Sequence, residues 1–168
     1  MSDLGVFSKD KIDYGSRLLI ENYFKSGRFG VKLLDVGCGY GFLGISANVF
    51  MSCDVTMLDV NKRAVHLANR NIKNLRLNNC KAIESNIYDD INETFDVIIT
   101  NPPIRAGKKI VSEILMGAFK YLNESGELWF VIRKDQGRDS ILKLLGDTYK
   151  CEIIDKSKGF SIIIAKKC

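Results

Sequence analysis

The feature that most constrains this chain is its alternation of short, β-branched or apolar runs with longer amphipathic ones. Strand-like runs lie at 31–36, 54–59, 81–85, 95–100, 127–133, 151–155 and 160–165. Helix-like stretches lie at 13–24, 42–50, 61–75, 108–122 and 137–145. In the third of these, Ala64, Val65, Leu67, Ala68 and Ile72 recur at helical spacing behind Asn61, a good N-cap residue. Strands alternating with helices build parallel βαβ units with helices on both faces of the sheet. The tail breaks the rhythm. Its last two strands are joined by Lys156-Ser157-Lys158-Gly159, which reads as a hairpin and turns the last strand antiparallel to its neighbours. The expectation is an α/β, Rossmann-like, mostly parallel sheet of seven strands.

Composition excludes several classes. At 168 residues with 46% apolar and 27% charged residues, the chain reads as one globular domain over 1–168, not a disordered or fibrous protein. No apolar run reaches the roughly 18 residues of a membrane span. The start lacks the pattern of a secretory signal, so a cytoplasmic location is expected and no membrane partner. Five cysteines stand at 38, 53, 80, 151 and 168 with no C-x-x-C pair, and His66 is the single histidine. No metal site is expected, and triads that need histidine have almost nothing to work with. Residues 1–100 carry 12 basic and 12 acidic side chains, whereas 101–168 carry 13 against 8. The whole surplus of +5 therefore sits in the last two-fifths, where Arg105, Lys108, Lys109, Arg133, Lys134, Arg138, Lys156 and Lys158 are candidates for a phosphate-attracting face.

Ligands of open α/β sheets bind beyond the carboxyl ends of the strands. The first strand is followed by Asp35-Val36-Gly37-Cys38-Gly39-Tyr40-Gly41, and Gly39, Gly41 and Gly44 satisfy G-x-G-x-x-G. The second ends at Asp59, 22 positions beyond Gly37, where a carboxylate accepts hydrogen bonds from ribose hydroxyls. These two features mark a nucleoside site without separating NAD from S-adenosylmethionine (SAM), although Asp35 leans toward the latter. After the third strand, Asn86 stands either as a helix cap or against an adenine amino group, with Ile87 lining the ring.

The sharpest signal follows the fourth strand: Asn101-Pro102-Pro103-Ile104. Two prolines fix φ, remove two N–H donors and push Asn101 and Pro102 out of the α region. The result is a rigid turn presenting two acceptors, the Asn101 side-chain oxygen and the Pro102 carbonyl. An exocyclic amine on a base or amide is a poor nucleophile because its lone pair is delocalised. Two acceptors on its N–H groups would align it with an electrophilic methyl and stabilise the developing positive charge.

On these residues the chain resembles the class I SAM-dependent methyltransferases. More narrowly it resembles the methyltransferase small domain group, which includes RsmC-type ribosomal RNA guanine-N2 methyltransferases. The resemblance covers essentially the whole chain. It rests on Phe7-Ser8 with Asp13-x-Gly15-Ser16, on Asp35-x-Gly37-x-Gly39-x-Gly41, on Asp59, on Ser85-Asn86, and on Asn101 to Lys108. It implies the seven-stranded methyltransferase sheet and SAM as cofactor. Phe7, Asp13, Gly15 and Ser16 would then pack beside its methionine end. Asp35, Gly37, Cys38, Gly39 and Gly41 would pass under the methionine and ribose. Asp59 with Val60 would hold the ribose, and Asn86 with Ile87 would approach the adenine. Asn101, Pro102, Pro103 and Ile104 would receive the target amine.

The implied function is methylation of a guanine N2 in ribosomal RNA, with ribosomal RNA or a ribosomal subunit as partner. Position 104 is Ile, whereas many amino-methyltransferases carry Tyr or Phe there, and this disfavours DNA-adenine and glutamine substrates. The chain is shorter than two-domain relatives, so the catalytic core alone is expected. The alternatives are a protein glutamine methyltransferase, a SAM-binding module without catalysis, and an NAD-dependent oxidoreductase. Oligomeric state is not legible.

Overall fold

The structure, a computed structural model, describes residues 13–167. Phe7 and Ser8 lie outside the described residues. The strands are β1 (Lys32–Val36), β2 (Asp54–Asp59), β3 (Cys80–Glu84), β4 (Phe95–Thr100), β5 (Leu122–Arg133), β6 (Tyr149–Ser157) and β7 (Phe160–Lys167). They form one sheet in the order β3-β2-β1-β4-β5-β7-β6. All pairs are parallel except those of β7, which runs antiparallel to both β5 and β6. This is the sheet expected from the alternation and the terminal hairpin.

The helices are α1 (Tyr14–Lys25), α2 (Phe42–Met51), α3 (Lys62–Asn74), α4 (Lys108–Gly117) and α5 (Arg138–Leu145). The first three cover one face, where Leu19, Ile45, Met57 and Trp129 share a core. The last two cover the other, around Leu115, Phe130 and Ile141. Successive strand residues point to opposite faces, so Leu33 enters the first core and Leu34 the second, both with no exposed surface. Burying each contributes about 1.5–3 kcal/mol. β1 therefore ties the two layers together and holds its own carboxyl end rigidly.

β6 and β7 extend beyond the expected 151–155 and 160–165, so Lys156 and Ser157 belong to β6 and not to the link, and two other segments depart further from the sequence expectation. The helix expected through residue 122 ends at Gly117, and a 3-10 turn at Ala118–Tyr121 leads into β5. The apolar periodicity continues through Leu122 because that residue begins a strand. β5 in turn starts five residues before the expected 127, with a register shift opposite Phe95 and Val97 that accommodates the polar residues 123–126.

β1 lies between β2 and β4, so the chain's strand order reverses there. The crevice beyond such a switch point is where open α/β sheets bind ligands. Thr100 Oγ1 donates to the Val36 carbonyl at 2.7 Å, which pins the ends of β1 and β4 side by side.

Candidate active site

Between β1 and α2 the backbone turns through glycines. Gly37 and Gly39 have φ of +73° and +55°, a region that side chains disfavour. A Cβ at either would meet no heavy atom within 4 Å. Their bare backbone therefore borders open space. Gly41 differs: a Cβ there would stand 2.8 Å from Ile45 Cδ1, so this glycine serves packing and is buried. The loop is also braced from β2, because Gly37 and Cys38 N–H both donate to the Leu58 carbonyl.

Asp59 completes the brace. Its Oδ2 accepts from Gly39 N–H at 2.9 Å and its Oδ1 from Asn61 N–H at 2.9 Å. Each carboxylate oxygen retains a further lone pair. Asp59 thus shapes the glycine loop and still has acceptor capacity for hydroxyl groups. Asn61 caps α3 through Arg63 and Ala64 N–H, as its position in sequence suggested.

The turn after β4 is oriented from the far end of the sequence. Asn101 Nδ2 lies 3.2 Å from Asp13 Oδ1 and 2.9 Å from Ser16 Oγ. A carboxylate only accepts, so the Asn101 amide must present its NH2 to Asp13 and its carbonyl oxygen the other way. A hydrogen bond to a charged group is worth about 1.5–3 kcal/mol, enough to favour this orientation about tenfold or more. Asp13 is held in turn, as the N-cap of α1, by Ser16 N–H at 2.7 Å. Ala106 N–H takes the Pro103 carbonyl, not that of Pro102.

Two cavities meet at this turn. One of about 310 Å³ is lined by Gly37, Asp59, Val60, Asn86, Ile87 and Asn101 among others. The second, of about 190 Å³, is lined by Asp13, Ser16, Gly37, Cys38, Gly39 and Asn101 among others. Gly37 and Asn101 belong to both. The two lobes are therefore one elongated groove across the switch point, with the Asn101 amide at its waist.

A family model for the methyltransferase small domain matches residues 1–164. The chain belongs to the methyltransferase small domain family. It is a methyltransferase by family. Among relatives, the uncharacterized protein YbxB of Bacillus subtilis is 45% identical over 170 residues, covering 99% of this chain and 84% of that protein. The ribosomal RNA small subunit methyltransferase C of Buchnera aphidicola is 38% identical over 133 residues, 76% of this chain and 38% of that protein. The fold matches, at a TM-score of 0.83 and 21% identity, the Thermus thermophilus 16S rRNA N2 G1207 methyltransferase in complex with AdoMet and guanosine, over 96% of this chain and 45% of that one. The chain thus spans less than half the length of the last two proteins.

Within this methyltransferase most residues singled out in the sequence converge on the groove, but five described ones do not. Pro102 is buried in the turn and lines neither lobe, so only its carbonyl is a candidate to act there. Gly15 is buried, and a Cβ there would meet the Phe160 ring at 2.9 Å, so it packs α1 against β7. Gly41 packs α2, as described. Ile104 turns out of the groove and lines a separate cavity between α4 and α5. Asp35 has no exposed surface at all. It stands behind the loop, where Oδ2 accepts from Gly44 N–H at 3.0 Å and Oδ1 has no hydrogen-bond partner.

Burial pushes the Asp35 carboxyl up to about 7; the Gly44 N–H opposes this and the Asp59 charge assists it. A carboxyl whose pKa is raised by folding adds stability fully below the unfolded value near 4, and that stability is lost as pH rises through about 7. Without cofactor, the protein is expected to lose stability between about pH 5 and pH 8, and Asp35→Asn, which cannot ionise, is expected to flatten this fall. Urea unfolding of both proteins at the two pH values checks it; an equal fall in both would contradict the assignment.

Sequence reasoning missed one wall of the groove. Ala106, Ile110 and Ile114 line it with Pro103. Their four-residue spacing on α4 and the turn before it was the signal available. Asn86 is an exposed residue of the groove lining, and a turn follows it, so helix capping does not claim it. His66 is exposed on α3 and lines neither lobe. Of the basic residues, Arg133 and Arg138 are paired with Asp135 and Asp139. Lys158 stands 4.6 Å over the Tyr14 ring. Arg105, Lys108, Lys109 and Lys134 are exposed and form no ion pair among the described residues.

Proposed function

We propose that this methyltransferase modifies the exocyclic N2 amine of a guanine in ribosomal RNA. The observation that carries the reading is the Asn101 amide, turned by Asp13 and Ser16 so that its carbonyl oxygen is free to accept at the waist of the groove. The names of the ribosomal RNA methyltransferase relatives supply the substrate class.

The groove suits the donor. Bare backbone at Gly37 and Gly39 leaves room for it, Asp59 has lone pairs for ribose hydroxyls, and exposed Val60 with Ile87 offers apolar contact to a base. Asn86 would meet the adenine amino group. Asp13, Ser16 and Cys38 would border the methionine end, where burial pushes the Cys38 thiol up and keeps it neutral. When bound, SAM supplies a methyl group made electrophilic by a sulfonium.

The chain's own residues then act on the amine. The Asn101 and Pro102 carbonyls accept its two N–H groups and aim its lone pair, and they stabilise the positive charge that grows on nitrogen. The new N–C bond forms as the C–S bond breaks, and the surplus proton passes to water. Arg105, Lys108 and Lys109, which follow the turn directly and form no ion pair among the described residues, suit a phosphate backbone.

Incubation with methyl-labelled SAM and either small-subunit ribosomal RNA or a ribosomal-protein and release-factor fraction tests this. Label is expected in RNA. Label in protein alone would move the reading to glutamine methylation.

A further inference from the structure

A second cavity, of about 260 Å³, opens between α4 and α5 on the other side of the catalytic turn. It contains neither Asn101 nor Pro103, so a target amine seated there could not reach the acceptors. Ile104 is nonetheless one of its walls, and it shares no lining residue with either lobe of the cofactor groove. The established chemistry leaves it unused.

We propose that this cavity receives a second nucleobase of the RNA substrate, a neighbour of the methylated guanine. The proposal rests on the functional reading above and deepens it. Four of its lining side chains are apolar: Ile104, Val111, Ile141 and Leu144. Leu144 is 44% exposed, one of five exposed large apolar side chains among the described residues. An exposed leucine on the rim of a cavity has contact area to offer a flat ring. Ser112 and Gln136 add hydroxyl and amide groups able to meet base edges.

Charge selects nucleic acid. Lys108 lines the cavity, and Arg105, Lys109 and Lys134 flank it in sequence. None of the four forms an ion pair among the described residues, whereas nearby Asp135 and Asp139 are each held by an arginine. A phosphate backbone crossing the turn would meet the unpaired cations with one base in the groove's waist and a neighbour in this cavity. That would supply a contact which Ile104, lacking a π face, cannot make with the target itself.

The test uses the full chain with methyl-labelled SAM and small-subunit ribosomal RNA. Leu144→Trp and Ser140→Trp place an indole in the mouth from exposed positions of α5; Lys108→Ala removes the lining cation. With SAM affinity and melting temperature unchanged, each is expected to lower kcat/KM for RNA about tenfold, mainly through KM. Unchanged RNA methylation in all three overturns the pocket and leaves the functional reading standing. Wild-type labelling of protein alone, lost in these variants, assigns the cavity to an acidic peptide and overturns the RNA assignment. No RNA label from wild type removes the functional reading and the pocket with it.

Discussion

Asn101→Ala is expected to lower methyl transfer about a thousandfold while SAM affinity changes only a few-fold. The amide oxygen is one of two acceptors proposed for the amine, and its action is confined to the reacting centre. Its Nδ2 touches Asp13 and Ser16, which are reached without any cofactor. Loss of kcat with retained binding is the signature of an interaction made in the transition state. Asn101→Asp separates charge from shape. It keeps an acceptor oxygen but sets a carboxylate against the Asp13 carboxylate, where the amide nitrogen now sits at 3.2 Å. Activity should fall again and partly return in the Asp13→Asn, Asn101→Asp double variant, because an asparagine at 13 can donate. Stopped single-turnover assays read all four proteins. Wild-type rates in Asn101→Ala would remove the amide from the mechanism.

Asp59→Ala is expected to weaken SAM binding about a hundredfold. Hydrogen bonds to a charged acceptor are worth about 1.5–3 kcal/mol each, and the two ribose hydroxyls stand to lose that partner together. The same substitution frees Gly39 N–H and Asn61 N–H, which the carboxylate now holds at 2.9 Å. The glycine loop should loosen and the melting temperature fall. Asp59→Asn keeps one acceptor oxygen and should fall between the two. Isothermal calorimetry with SAM measures the effect, and equal affinity in wild type and Asp59→Ala would contradict the placement of the ribose.

These expectations differ in how far the sequence could reach them. The place of Asp59 beside the glycine loop was legible because it ends a strand 22 residues past the glycine turn, and its carboxylate does meet Gly39 N–H. The strands at 54–59 and 95–100 were legible because both are short runs rich in apolar and β-branched residues that end in a polar one, and they are observed with those bounds. The partnership of Asp13 and Asn101 was not, because 88 residues separate them and only the fold closes the gap. Gly15 and Gly41 show the opposite error. Motif position made them ligand contacts, but the neighbours of their Cα atoms, Phe160 and Ile45, make them packing glycines. Ile104 was placed in the right turn and on the wrong side of it, because a 3-10 turn at Ile104–Ala106 rotates each side chain away from the last.

The most direct test is nucleoside analysis of small-subunit ribosomal RNA after incubation with SAM carrying a deuterated methyl group. Deuterated N2-methylguanosine, formed by the wild type and absent with Asn101→Ala, is the result predicted. A deuterated methyl found only on a ring carbon or a ribose oxygen would contradict the account.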